Sequence, residues 1–365
     1  MASVPVHNLE EQPGFWLTPY AVPNQPIHVT IVVPTFSAEA TLERALRSLF
    51  DQTMREIEII VVDDASTDGS WQLICALAME DPRLRAIRNI ENCGKPVGMN
   101  RAIALARGRW LAILDADDWY HSERLSTLIA MGERWQADMV ADNQFFFDAV
   151  ANRIVGTAWR PTAREWALTF DGFLQGSNAY STFNLGMLKP VIRTDFIHCA
   201  ALGYDEQARH GQDFFHLLQF YLAGGKAVIT DKPFYHYTQP FGTVSHQWSH
   251  LARKRYDFQT AYRINQRHAA AAAEKLTPSQ AAHLAHRNNQ LKSLEYYYQA
   301  KQCIANRDFI GAVRRLAEQP GLLSYAVWRL HRLVRKRIDA RSIERVAIRS
   351  RRSARLIAIN MAASR

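Results

Sequence analysis

The chain has 365 residues and a formal net charge of +9, with 48% hydrophobic and 22% charged residues, an ordinary balance for a folded soluble protein with one large α/β domain and a smaller appendage. Its four cysteines, Cys75, Cys93, Cys199 and Cys303, have no zinc or redox spacing, so a reduced, cytoplasmic setting is expected. Residues 1–25 lack the basic-then-apolar order of a secretory signal, and no run reaches the ~18 apolar residues of a membrane span.

Residues 1–26, with Pro5, Pro13, Pro23 and Pro26, read as an irregular arm. Val29–Val33 is the first buried strand, ended by Pro34, and Leu42, Ala45, Leu46, Leu49 and Phe50 then mark one face of a helix. Ile57–Val62 is the second strand and stops in Asp63 and Asp64; Leu73 and Leu77 mark a second helix. Leu84–Ile87 is a short third strand, Asn92–Lys95 a loop, and Val97–Arg107 an alanine-rich helix. The fourth strand, from Trp110 to Leu114, runs straight into Asp115, Asp117 and Asp118. Strand and helix alternate at the rhythm of a mostly parallel sheet with right-handed crossovers.

Two parallel strands that both end in acids bring those acids to one rim, where open α/β sheets bind ligands. Three carboxylates within four positions repel one another unless something positive lies between them, and hard oxygen ligands suit Mg²⁺ or Mn²⁺ shared with a substrate diphosphate. An acidic turn capping the next helix is the plainer alternative. Neither a G-x-G-x-x-G nor a Walker sequence follows the first strand, which argues against a dehydrogenase or a P-loop enzyme.

Four motifs in order carry a resemblance: Val33-Pro34-Thr35-Phe36, Val61 to Gly69, Gly98-Met99-Asn100-Arg101-Ala102, and Leu114-Asp115-Ala116-Asp117-Asp118. Over residues 28–135, and more loosely to 248, the chain resembles family 2 inverting glycosyltransferases, which have the A-type nucleotide-sugar-binding fold. The resemblance implies an α/β catalytic domain over 27–248, with a mostly parallel sheet flanked by helices. It places Pro34, Thr35, Phe36 and Asp64 at the nucleotide base, Lys95 and Arg101 near the diphosphate, and Asp115, Asp117 and Asp118 at ribose and metal, Mn²⁺ or Mg²⁺. The family's catalytic base falls on Asp213, in Gly211-Gln212-Asp213-Phe214, where Gln212 replaces the usual Glu; an N-cap is the plainer role for Asp213.

The same resemblance sets Lys189 and Arg193 at the wall between donor and acceptor, as cations within reach of an anionic acceptor or the diphosphate, with a solvated position the plainer alternative, and makes His246 or His236 a candidate to complete the metal shell. Trp110, Trp119 and Trp248 have rings fit to stack on a sugar, with core packing the simpler use of Trp110.

Residues 249–365 read as a helical extension. Leu291, Leu294 and Tyr298, then Phe309, Ala312, Val313 and Leu316, suggest helices packed as hairpins. Between Arg329 and Arg355, eleven Arg or Lys stand against Asp339 and Glu344, an excess of nine that leaves the rest of the chain near neutral. Leu330, Leu333, Val334 and Ile338 add an apolar stripe, the pattern of a helix on an anionic membrane surface. Nucleic acid is the less favoured partner, since no aromatic interleaving or recognition motif accompanies the charge.

The expectation is therefore a metal-dependent hexosyltransferase that acts on a nucleotide-sugar donor, with uridine as the family tendency. It would be similar to bacterial enzymes of exopolysaccharide repeat-unit synthesis, peripheral to the inner face of the cell membrane and working on a glycan or lipid-linked acceptor. The alternative is a noncatalytic scaffold with the same fold, binding membrane or protein through its basic region.

Overall fold

The computed structural model describes residues 26–239 except 161–163 and 182, residues 257–319, Gly321 and Tyr325, and short strands at 10–12 and 15–17. His246, Trp248 and the basic segment 329–355 lie outside the described residues. The chain divides into two compact units, residues 1–291 and 292–365.

Strands β1 (Glu10–Gln12) and β2 (Phe15–Leu17) form a hairpin in the arm expected to be irregular. β2 pairs antiparallel with β5 (Leu84–Asn89), so its backbone occupies what would otherwise be an open sheet edge. β3 (Val29–Thr35), α1 (Glu39–Phe50), β4 (Ile57–Asp63) and α2 (Ser70–Glu80) follow; then come β5, α3 (Lys95–Leu105) and β6 (Trp110–Ile113). β5, β4, β3 and β6 are adjacent and parallel, as the alternating pattern predicts.

The apolar runs of β3 and β4 are buried on both faces, and α1 closes one of them with Leu42, Ala45, Leu46 and Leu49. Pro34 does not end β3: the strand continues to Thr35, paired with Asp63. β3 and β6 are in register only as far as Val32↔Ile113, so β6 has already turned away where the proline has no N–H to give.

β7 (Trp119–Tyr120) and α4 (Arg124–Trp135) lead into β8 (Met139–Asp148) and β9 (Arg153–Thr157). β10 (Glu165–Ala167), α5 (Phe170–Gln175), β11 (Val191–Arg193), α6 (Thr194–Cys199), α7 (Gln212–Leu222) and β12 (Ala227–Gln239) complete the sheet unit. β11 lies antiparallel between β6 and β8, and β12 runs parallel to β8.

The first unit extends past the boundary expected at 248/249. Helix Phe258–Ala271 and the first half of helix Pro278–Ala305 belong to it. Arg287 makes the attachment: its guanidinium lies 3.5 Å from the Phe214 ring centroid and donates to the Ser177 carbonyl at 2.5 Å. Burial lowers its proton affinity to a pKa of about 9. In the second unit the helix Phe309–Glu318 buries Ala312 but leaves Phe309, Val313 and Leu316 exposed, against the packed hairpin expected there. Among the described residues, no helix is long and apolar enough to cross a membrane.

A buried ion pair links this framework to the rim that follows. Arg124 holds Asp142 through two hydrogen bonds, of 3.0 and 2.7 Å, and donates to the Lys189 carbonyl at 2.5 Å. Arg124→Ala would leave Asp142 buried and unpaired, with an expected loss of about 3–5 kcal/mol of stability, read from urea unfolding.

Candidate active site

Four charged side chains from distant parts of the chain meet at the carboxyl rim of the sheet. Lys95 begins α3, Asp115 follows β6, Lys189 precedes β11, and Asp213 lies in the first turn of α7. Lys189 Nζ lies 2.7 Å from Asp115 Oδ2 and 2.5 Å from Asp213 Oδ2. Lys95 Nζ lies 2.8 Å from Asp115 Oδ1 and 3.3 Å from Asp213 Oδ1. Each ammonium thus bridges the same two carboxylates. Both helices start behind a glycine in left-handed backbone, Gly94 at φ 87° and Gly211 at φ 72°. A Cβ on Gly94 would stand 2.5 Å from the Arg209 guanidinium.

Burial works to raise the carboxyls of Asp115 and Asp213. The ammonium of Lys189, then that of Lys95, outweighs it, and both carboxyls fall below the ordinary carboxylate range. Burial also opposes the charge on Lys189, and the two aspartates overcome it, so its pKa is well above the usual lysine value. Both acids and Lys189 are therefore ionised at neutral pH.

The other expected acids have separate surroundings. Asp64 Oδ1 accepts from Asn89 Nδ2 at 2.7 Å and from the Cys93 backbone N–H at 2.9 Å, while Oδ2 accepts from the Gly94 N–H at 2.8 Å. It braces the loop that leads to Lys95. Arg101, expected near the diphosphate, donates to Asn89 Oδ1 at 2.5 Å and so backs up this brace. The Thr35 carbonyl accepts the Asp64 N–H at 2.9 Å, which sets the corner of Pro34, Thr35 and Phe36 beside Asp64. Thr35 is buried there, and Pro34 and Phe36 are half-buried.

Asp118 is only 2% exposed: Tyr235 OH donates to its Oδ2 and the Thr238 N–H to its Oδ1, each at 2.7 Å. Burial, with Asp117 and Asp115 nearby, pushes its carboxyl well above the usual value. Asp118 thus ties β12 to the turn after β6, a structural strut where the sequence suggested a metal ligand. Asp117 is anchored through its carbonyl, which accepts from Arg44 at 2.9 Å and Thr238 Oγ1 at 2.5 Å. Its carboxylate lies in the field of the Arg44 guanidinium, which is stacked 4.0 Å over Trp119.

Arg44 escaped the sequence reading because it lies on a helix otherwise recognised by its apolar face. The sequence held no signal that separates Arg44 from Arg47 on the same helix; the fold alone turns Arg44 toward the Asp117 carbonyl.

Arg193 is not at the rim. β11 runs antiparallel to β6 and carries Arg193 to Trp110, at the opposite end of that strand, where it pairs with Asp195 at 2.6 Å. Trp110 is core, as its simpler reading holds, with Nε1 3.2 Å from Glu133. His236 stacks between Trp119 (4.6 Å) and Phe145 (5.0 Å), and burial lowers its pKa to about 4, so it is a neutral part of an aromatic layer.

Among the described residues, no three His, Cys, Asp or Glu side chains are grouped to hold a metal ion. The three-acid metal cluster expected from the sequence is not assembled, because Asp115 faces two lysines and Asp118 faces Tyr235 and Thr238. Mg²⁺ and Mn²⁺ commonly take one or two protein carboxylates and complete their shell with substrate phosphates. Asp117 fits such a shared site, and a cage made by the protein alone does not fit.

Asp64→Ala removes three hydrogen bonds, two from the Cys93 and Gly94 N–H groups of the loop and one from Asn89 at the end of β5. A loss of roughly 2 kcal/mol or more is expected, with faster amide exchange at Cys93 and Gly94 in hydrogen-exchange measurements.

Residues 30–203 match Glycosyl transferase family 2. The chain is 30% identical over 230 residues to the succinoglycan biosynthesis protein ExoO of Rhizobium meliloti, covering 63% of this chain and 65% of that protein. It is 34% identical over 101 residues to the Escherichia coli UDP-Glc:alpha-D-GlcNAc-diphosphoundecaprenol beta-1,3-glucosyltransferase WfaP, covering 28% of this chain and 39% of that one. The chain thus spans less than two thirds of the length of these curated relatives.

The structure of S. aureus TarS 1-349 in complex with UDP-GlcNAc superposes with a TM-score of 0.51 at 17% identity, over 81% of this chain and 92% of that one, a likeness of fold. The sheet order and the acidic rim agree with the match over residues 30–203: the chain is similar to glycosyl transferase family 2 across that stretch, and its fold is an A-type α/β fold, a mostly parallel sheet flanked by helices.

Proposed function

We propose that the chain transfers a hexose from a UDP-sugar, with inversion at the anomeric carbon, to a hydroxyl of a lipid-linked exopolysaccharide repeat unit at the inner face of the cell membrane. One observation carries this reading: Asp213 meets Asp115 across Lys95 and Lys189 at the rim where a parallel sheet receives ligands. The UDP-GlcNAc complex of TarS supports uridine as the donor base, and the acceptor named for WfaP supports a lipid diphosphate carrier. The role of ExoO in succinoglycan biosynthesis supports an exopolysaccharide product.

In this mechanism the acceptor hydroxyl approaches the anomeric carbon opposite the diphosphate. Asp213 accepts the hydroxyl proton as the new C–O bond forms. The bond to the diphosphate breaks, and its electron pair leaves with the nucleoside diphosphate. Lys95 and Lys189 meet that charge, while Asp64, Pro34, Thr35, Phe36 and Arg101 define the nucleotide end. Asp117 would hold a Mn²⁺ or Mg²⁺ ion, which would supply charge neutralisation at the departing diphosphate.

The donor also prepares the base. Without a diphosphate both lysines rest on Asp115 and Asp213, and their field holds the Asp213 carboxyl low. A diphosphate that draws the ammonium groups toward itself weakens that field and raises the proton affinity of Asp213 only when there is a sugar to transfer.

Asp213→Asn is expected to lower turnover by about 10²–10⁴ while UDP-sugar binding is retained. NMR of the product should show the opposite anomer from the donor; the same anomer, or full activity in the Asn variant, would overturn the assignment. Lys189→Met removes a cation that lowers the Asp213 carboxyl, so the acid limb of kcat/KM should move to higher pH while donor affinity falls. A limb that stays in place would separate Asp213 from the titration.

A further inference from the structure

Among the described residues, the helix Phe309–Glu318 carries an apolar face that is exposed. Phe309, Ile310, Val313 and Leu316 are 65%, 85%, 64% and 46% exposed, whereas Ala312 is 4% exposed. Ala312 is thus the buried position of the helix, and its large side chains are turned outward. At 3.6 residues per turn those four side chains share an arc of roughly 120°, about the width of the stripe that a core-facing helix buries.

Ile304, 53% exposed, lies near the end of the preceding helix. The turn is well formed without help from a partner: Asp308 caps it by accepting the Gly311 N–H at 2.8 Å. Arg314, whose side chain is 78% exposed, stands at one edge of the stripe, and Arg307 precedes the helix.

We infer that this face is a membrane-docking surface that inserts into the headgroup boundary of an anionic lipid bilayer. A helix face whose large apolar side chains project outward needs no partner of complementary shape to enter a bilayer boundary. Arginine stems at the edge of such a stripe lie along the apolar boundary and leave their charge among the headgroups.

The sequence that follows adds eleven basic residues between 329 and 355 against two acids, complementary to anionic lipid. Stable attachment to a bilayer generally takes two signals, one apolar and one electrostatic. The exposed helix supplies the first and the basic segment the second. The inference rests on the proposal above that the acceptor is borne by a lipid, and it specifies which side chains meet the membrane.

The test is co-sedimentation of the full chain with vesicles of phosphatidylcholine alone and of phosphatidylcholine mixed with phosphatidylglycerol. Wild type should bind the mixed vesicles. The double variant Ile310→Glu, Val313→Glu should bind them about tenfold or more weakly, with Tm and donor hydrolysis in solution unchanged. Val313→Trp adds apolar surface without charge and should bind more tightly, which keeps the test decisive if the double variant misfolds.

Binding of the glutamate variant equal to wild type overturns this surface and leaves attachment through the basic segment standing. Failure of wild type to bind anionic vesicles overturns both. A wild-type dimer that the variant loses assigns the face to a second copy, and a lowered Tm with vesicle binding retained assigns it to the chain's own remaining segment; either result overturns the membrane role.

Discussion

Two ammonium groups held between two carboxylates form the constraint on which this site depends. Asp115 and Asp213 are brought close together at a partly closed rim, where burial alone would drive protons onto them. Lys95 and Lys189 keep both ionised because each reaches both acids, and the four charges balance within a few ångströms. Cations arranged this way around two acids are also arranged to receive an anion of similar charge, which is how a diphosphate would enter.

The fold places the four groups by fixing the ends of elements. Lys95 and Asp213 each sit in the first turn of a helix that starts behind a left-handed glycine, so both side chains leave the backbone close to the rim. Lys189 is held from behind, its carbonyl taken by Arg124, which in turn is locked on Asp142. Asp115 is fixed by the turn that follows β6, where the Asp118 N–H donates to the Asp115 carbonyl and Tyr235 OH serves Asp118. The site inherits the rigidity of a buried sheet.

Environment, more than residue type, divides the labour among the acids. Asp64 accepts three hydrogen bonds and braces a loop; Asp115 faces two lysines; Asp117 lies in the field of Arg44; Asp118 is an internal strut. Three of these lie within four residues of one another and read alike in sequence. Their difference comes from what packs over them: Lys189 arrives from before β11, Arg44 from α1 and Tyr235 from β12, all remote in the chain.

The sequence by itself determined the parallel core, because apolar runs that end in acids and alternate with amphipathic helices have one economical arrangement, and the four ordered motifs carried the resemblance to glycosyl transferase family 2. The same resemblance pointed to Asp213, behind a glycine and ahead of an apolar helix, and the fold brings its carboxylate to Lys95 and Lys189. The sequence placed the end of β3 too early at Pro34, since whether a neighbouring strand still needs an N–H is not written locally.

Only the tertiary structure decided that Arg193 is carried to the far end of β6, that Asp118 is a strut, that Arg44 joins the rim and that the helix Phe309–Glu318 turns its apolar face outward. The physical reason is the same in each case. Strand order, strand direction and the choice of packing partner are settled by contacts between residues tens to hundreds of positions apart, and a side chain's charge state and task follow from those contacts.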